Sequence, residues 1–246
     1  MTASELTPAV VQLGPLVAEV AGSGPTVVLL HGNGEDARIF DAIVPHLAGY
    51  RLVIMEARGH GRTPEGEAPI TIAHLAKDVD AAMAVAEADG LAAGRGVIVG
   101  FSDGANVAME LAIHRPERVD GLVLIGGNYQ PSGMKPLVHA WIVLGWVGLA
   151  VASLVSKRAR RRARVWGLMV GQPRISETEL AQIGVPTLVV AGERDIITPY
   201  HVRRTAGLIR QAELVIVPDK GHLLPVEAPA ALADAVGQFL ASLRRS

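Results

Sequence analysis

Three side chains in this 246-residue chain could together turn an alcohol into a nucleophile. Ser102 sits in Gly100-Phe101-Ser102-Asp103-Gly104, directly after the apolar run Gly96-Val97-Ile98-Val99. This G-x-S-x-G pattern predicts a turn so tight that small residues must flank the serine, with the hydroxyl raised at the end of a strand. Asp195 lies in Gly192-Glu193-Arg194-Asp195 after the apolar run ending at Ala191, and His222 lies in Lys220-Gly221-His222 after Leu214-Val215-Ile216-Val217-Pro218. A serine hydroxyl is a weak nucleophile until a histidine takes its proton and a carboxylate fixes that histidine. Ser102 is therefore the candidate nucleophile, His222 the general base and later acid, and Asp195 the orienting carboxylate. Glu193 and Asp219 are rival acids, but Asp219 is too close in sequence to His222 to reach its far nitrogen easily.

Those residues need strands that end together. Short apolar runs at Leu16–Val20, Thr26–Leu30, Leu52–Met55, Val97–Val99, Leu122–Ile125, Leu188–Ala191 and Leu214–Val217 read as strands. Between them, helices are predicted over Ile72–Asp89 with Thr71 as cap, over Gly104–His114 with a stop near Pro116, and over His201–Ile209. Ala230–Leu243 is expected as the closing helix. Buried strands alternating with helices imply an α/β fold with a mostly parallel sheet flanked by helices. Each candidate residue then falls just past the end of a strand.

Composition narrows the class. Half of the residues are apolar but only 4% are aromatic, so the core must be built mainly from Ala, Val, Leu and Ile, as in parallel sheets covered by helices. A net charge of −1 argues against nucleic acid as a partner. The absence of cysteine excludes disulfides, thiolate metal sites and cysteine nucleophiles. The eight histidines form no H-E-x-x-H or comparable spacing, so a metal-dependent mechanism is not expected. Met1–Glu5 lacks the basic and apolar regions of a secretory leader, which makes the cytoplasm the expected location.

The chain resembles the α/β-hydrolase superfamily, in particular small bacterial serine hydrolases of esterase type with a short cap. The motifs that carry the resemblance are His31-Gly32-Asn33-Gly34, Glu56-Ala57-Arg58-Gly59-His60-Gly61-Arg62-Thr63, the serine turn, Gly192-Glu193-Arg194-Asp195 and Gly221-His222. Glu56 and Thr63 stand where Asp and Ser are usual, and Ala105 where a further Gly is common. The resemblance implies an oxyanion hole made by the backbone N–H groups of Asn33 and Asp103, with Gly34 as alternate. It implies a serine hydrolase acting on a carboxylic ester or related acyl compound, with no cofactor. A thioesterase, lactonase, C–C bond hydrolase or perhydrolase could use the same triad, and a non-catalytic ligand-binding or membrane-associated protein could keep the fold. His31 is expected to be structural, and Arg58, His60 and Arg62 to stabilise their own turn, with Arg58 bonded to backbone carbonyls. Asp103, Glu35 and Asp36 could form an acidic pocket for amine-bearing esters, although helix-dipole stabilisation and solvation account for them more simply.

Residues 128–180 interrupt the alternation and are expected as a helical cap inserted into a core of residues 1–127 and 181–246. Within this segment Val138–Val155 carries no charged residue apart from His139, and Lys157-Arg158-Ala159-Arg160-Arg161-Arg162-Ala163-Arg164 follows. A single membrane crossing there would separate Ser102 from Asp195 and His222. The apolar stretch is instead expected to form one or two cap helices, broken near Gly145 or Gly148, that roof a pocket for a small apolar acyl substrate. The basic run reads first as a solvated helix face, then as a contact for an anionic substrate handle or for anionic lipid.

Overall fold

The computed structural model describes residues 8–245, so the Met1–Glu5 stretch read for a leader lies outside the described residues. One eight-stranded sheet runs in the order β1-β2-β4-β3-β5-β6-β7-β8. The strands are β1 (Ala9–Leu13), β2 (Leu16–Gly22), β3 (Thr26–Leu30), β4 (Arg51–Glu56), β5 (Gly96–Phe101), β6 (Val119–Ile125), β7 (Thr187–Gly192) and β8 (Ala212–Val217). β1 pairs antiparallel with β2, and β2 antiparallel with β4; all other neighbours are parallel.

β1 is an element the apolar pattern did not reveal. It is a short edge strand whose first two residues are exposed, and Leu13 pairs with Leu16 across a two-residue Gly14-Pro15 turn. Gly14 takes a φ of +56°, a conformation that suits glycine at a hairpin turn. With one exposed face and only five residues, such a strand carries little hydrophobic signal.

Side-chain alternation splits the sheet's apolar residues between two cores. Val28, Leu30, Ile98, Leu122 and Leu124 face one side, where α1 (Ile72–Ala88) and α2 (Asp103–His114) pack. Val27, Leu29, Val97, Val99, Val123 and Ile125 face the other, covered by α9 (Pro229–Leu243) and the short turns around Phe40 and Leu47. Thr71 caps α1, its hydroxyl accepting from the His74 N–H.

The register brings the carboxyl ends of the central strands level. Leu30 pairs with Gly100, Phe101 with Ile125, Ile125 with Val190, and Gly192 with Val217. From β3 the chain moves to β4 on one side and then returns to β5 on the other. The crevice at that reversal, outside the strand ends, is where open α/β sheets place their ligands.

Between β6 and β7 the chain forms α3 (Pro136–Ala152), α4 (Lys157–Trp166), α5 (Leu168–Gly171) and α6 (Glu177–Leu180). α7 (Pro199–Leu208) and α8 (Leu224–Glu227) follow β7 and β8. α3 runs unbroken through Gly145 and Gly148, contrary to the break expected there. Glycine weakens a helix by about 1 kcal/mol but, unlike proline, leaves its hydrogen bonds intact. At Gly145 the Trp166 ring packs close by, so that a Cβ there would reach it at 3.4 Å, an ordinary contact.

Candidate active site

Ser102 stands between β5 and α2 with φ +53° and ψ −119°, a strained backbone for a residue with a Cβ. Close packing imposes this turn. A Cβ at Gly100 would meet the Gly104 carbonyl oxygen at 2.3 Å, and one at Gly104 would meet the Leu30 oxygen at 2.0 Å. The Ser102 N–H donates to the Ile125 oxygen at 2.8 Å, which ties the turn to β6.

The three residues picked from the sequence meet at this point. His222 Nε2 lies 3.0 Å from Ser102 Oγ, and His222 Nδ1 lies 2.8 Å from Asp195 Oδ1. The carboxylate is buried and acceptor-only, so Nδ1 carries the proton and Nε2 presents its lone pair to the serine hydroxyl. Asp195 Oδ1 also accepts the Ile197 N–H at 3.0 Å, which fixes the carboxylate's own orientation. Its Oδ2 is buried without a hydrogen-bond partner among the described residues. Asp219 and Glu193 are engaged elsewhere: Asp219 pairs with Arg194 at 2.6 Å, and Glu193 accepts the Asp219 N–H at 2.9 Å.

Loop glycines shape the walls. A Cβ on Gly32 would touch Ser102 Cβ at 3.0 Å, so the loop after β3 passes directly against the serine. The Asn33 side chain donates to Asp103 Oδ2 at 3.0 Å and to the Val165 oxygen at 2.8 Å, linking that loop to both α2 and the end of α4. Among the described residues no protein acceptor takes the backbone N–H of Asn33 or Asp103. Asp103 is buried, and burial raises its carboxyl pKa, an effect countered by hydrogen bonds from Asn33 and Asn106. With Asp103 held in this way and Asp36 paired to Arg38 at 2.7 Å, two of the three acids considered for an acidic pocket are already partnered.

His31 is structural as expected. Its Nδ1 donates to the Gly32 oxygen at 2.8 Å and its Nε2 accepts the Ala57 N–H at 3.0 Å. Desolvation by burial lowers its pKa to about 4, so the ring is neutral. Arg62 and Thr63 both anchor on Glu56: the arginine binds its carboxylate and the Thr63 hydroxyl its backbone oxygen. Arg58 departs from expectation. Rather than serving backbone carbonyls, it forms a two-pronged pair with Asp78, both contacts at 2.6 Å, and only a 3.4 Å contact reaches the Ala68 oxygen. The carboxylate wins because it can accept two parallel charge-assisted bonds from one guanidinium.

Several supporting residues left no signal in the sequence. Asn106, fully buried in α2, accepts the Asn128 N–H at 2.9 Å and bridges to Asp103. Gly126 (φ +59°) leaves room for the His222 ring, which a Cβ would meet at 2.9 Å. A buried polar residue and a glycine after a strand are too common to have signalled these roles.

A cleft of about 680 Å³ opens between the loop at 33–36, the turn at 59–61 and the helices α3 and α4. Gly145, Leu149, Val165 and Trp166 line it together with Glu35, Asp36, Arg158, Arg161 and Arg162. Of the apolar stretch read as a roof, only Gly145 and Leu149 face the cleft; much of the rest of α3 points outward. Among the described residues no cluster of three or more His, Asp or Glu side chains could hold a metal ion.

Comparison with known proteins agrees with this architecture. The alpha/beta hydrolase fold family matches residues 25–161, and a TAP-like protein family matches residues 158–245. The chain is 26% identical to a pimeloyl-acyl-carrier-protein methyl ester esterase of Pectobacterium carotovorum, over 92% of this chain and 99% of that one. A solved hydrolase from Pseudomonas aeruginosa superposes with a TM-score of 0.75 at 25% identity, covering 95% and 98% of the two chains. The structure of Est816, described as an N-acyl homoserine lactone degrading enzyme, gives 0.70 at 26% identity over 94% and 100%. The chain belongs to the α/β-hydrolase fold family and is an enzyme of that family.

Proposed function

We propose that this enzyme hydrolyses carboxylic esters of small acyl compounds through a covalent acyl-enzyme on Ser102. The observation that carries the reading is the continuous chain Ser102 Oγ, His222 Nε2, His222 Nδ1, Asp195 Oδ1, with contacts of 3.0 and 2.8 Å. In the first half-reaction Oγ attacks the ester carbonyl carbon while its proton passes to Nε2. The backbone N–H groups of Asn33 and Asp103 would hold the resulting oxyanion, each such donor being worth about 10²–10³ in rate. The C–O bond then breaks, and the leaving alcohol takes the proton from His222. Water repeats the sequence on the acyl-enzyme, releasing the acid and restoring the Ser102 hydroxyl. Asp195 stays ionised throughout and stabilises the imidazolium.

We propose that helices α3–α6 act as a cap over this site. Leu149, Val165 and Trp166 offer the acyl chain an apolar wall, and the relatives named as esterase and lactone-degrading enzyme are consistent with an acyl substrate. A fluorophosphonate probe provides the test. Stoichiometric labelling that disappears in Ser102→Ala, with turnover of p-nitrophenyl esters lost in parallel, is the expected result. An unlabelled but folded wild-type protein would refute it.

A further inference from the structure

The helix richest in apolar residues buries none of them. No residue of α3 is buried, and Leu137, Trp141, Leu144 and Val151 are exposed by 79%, 71%, 60% and 64%. Spaced by four, three and seven residues, they form one stripe along a helix about 25 Å long. The stripe continues into the α3–α4 turn with Leu154 and Val155, exposed by 78% and 93%. The helices pack through their other sides: the Trp146 indole N–H donates to the Ala163 oxygen at 3.1 Å, and Trp166 lies against Gly145.

Directly after the turn, α4 presents six exposed cations, Lys157, Arg158, Arg160, Arg161, Arg162 and Arg164. Among the described residues, only Arg164 of these has a carboxylate partner, Glu65. All three tryptophans of the chain, Trp141, Trp146 and Trp166, fall in these two helices.

We infer that the α3–α4 hairpin docks on the surface of an anionic lipid bilayer, with the α3 stripe and the turn in the acyl boundary and the α4 cations at the headgroups. The charge pattern selects this occupant. A second copy stacked face to face would bring two unneutralised arginine clusters together, whereas a layer of anionic headgroups neutralises one. An exposed apolar stripe beside a basic helix, with tryptophan between, is the composition that partitions into a membrane interface. Spanning is not involved, because no helix of the described residues is long and apolar enough to cross a membrane. Docking would set the cleft beside the lipid surface, since Arg158, Arg161 and Arg162 of α4 line it.

The experiment is co-sedimentation of the intact protein with vesicles of phosphatidylcholine, with and without about a third phosphatidylglycerol. Binding to the anionic vesicles, weakening with salt and accompanied by a blue shift of tryptophan emission, is the expected result. Trp141→Asp with Leu144→Asp should abolish it. Lys157→Ser with Arg160→Ser should weaken it by roughly fivefold per cation removed. All four positions are solvent-exposed and outside the cleft, and an unchanged circular dichroism melting curve checks that the variants fold. The inference is overturned by absence of binding, by equal binding to both vesicle types, or by binding that survives the Asp substitutions. A concentration-dependent dimer that the Asp substitutions dissociate, without vesicle binding, would overturn it in favour of a second copy. None of these readouts depends on the chemistry proposed for Ser102.

Discussion

Replacing Gly126 by alanine should impair the site without substituting any residue that reacts. Gly126 directly follows β6 with φ +59°, and its N–H donates to the Val190 oxygen at 2.9 Å, so the backbone there cannot swing aside freely. A new Cβ would lie 2.9 Å from His222 Cε1 and 3.0 Å from Nδ1. Ordinary carbon contacts begin near 3.5 Å, so the imidazole must retreat by about half an ångström. Nδ1 is already held at 2.8 Å by Asp195, and a retreat therefore tilts Nε2 away from Ser102 Oγ, now 3.0 Å distant. A misplacement of about 1 Å can cost about 10² in rate, so the expected loss in kcat/KM is tenfold to a hundredfold. The left-handed backbone adds about 1–2 kcal/mol of destabilisation for a residue with a side chain. p-Nitrophenyl acetate turnover, read beside urea denaturation, separates the two effects. Gly148→Ala is the control, because a Cβ there meets nothing within 4 Å. Full kcat/KM in a folded Gly126→Ala enzyme would show that His222 is not confined in the way described.

Two further perturbations address the scaffold. His31 has its pKa lowered to about 4 by burial, against an ordinary 6.5. Between those values the unfolded chain binds a proton that the folded chain refuses, so stability is complete above pH 6.5 and falls as pH drops towards 4, by about 3 kcal/mol from this group. Denaturation of wild type and His31→Asn at pH 7 and pH 4.5 should show a shallower acid loss in the variant; parallel losses would count against this account. Asp78→Ala strands the Arg58 guanidinium, whose side chain is only 11% exposed, and should cost about 3 kcal/mol by urea denaturation. If Arg58→Leu in that background fails to recover part of the loss, the isolated charge is not its cause.

Much of this molecule could be read from local chemistry. The run into Ser102, the turns before Asp195 and His222, and the caps and stops of the helices depend on residues adjacent in the chain. Turn sterics, proline and hydrophobic alternation act over a few residues, so they leave their mark in the sequence. The weakly patterned edge strand β1, the continuity of α3 through two glycines and the role of Gly126 left no such mark.

Residue types and order determined which serine, acid and histidine could cooperate, because nucleophile activation needs those functional groups and strand ends to carry them. Tertiary structure decided the rest: that Arg58 would find Asp78, that Asn106 and Asn128 would brace the turn, and that α3 would turn its apolar stripe outward. Hydrophobic periodicity says that a helix has an apolar face. What that face meets depends on which neighbours the fold places beside it, and here α4, packed against the opposite side of α3, leaves the stripe uncovered.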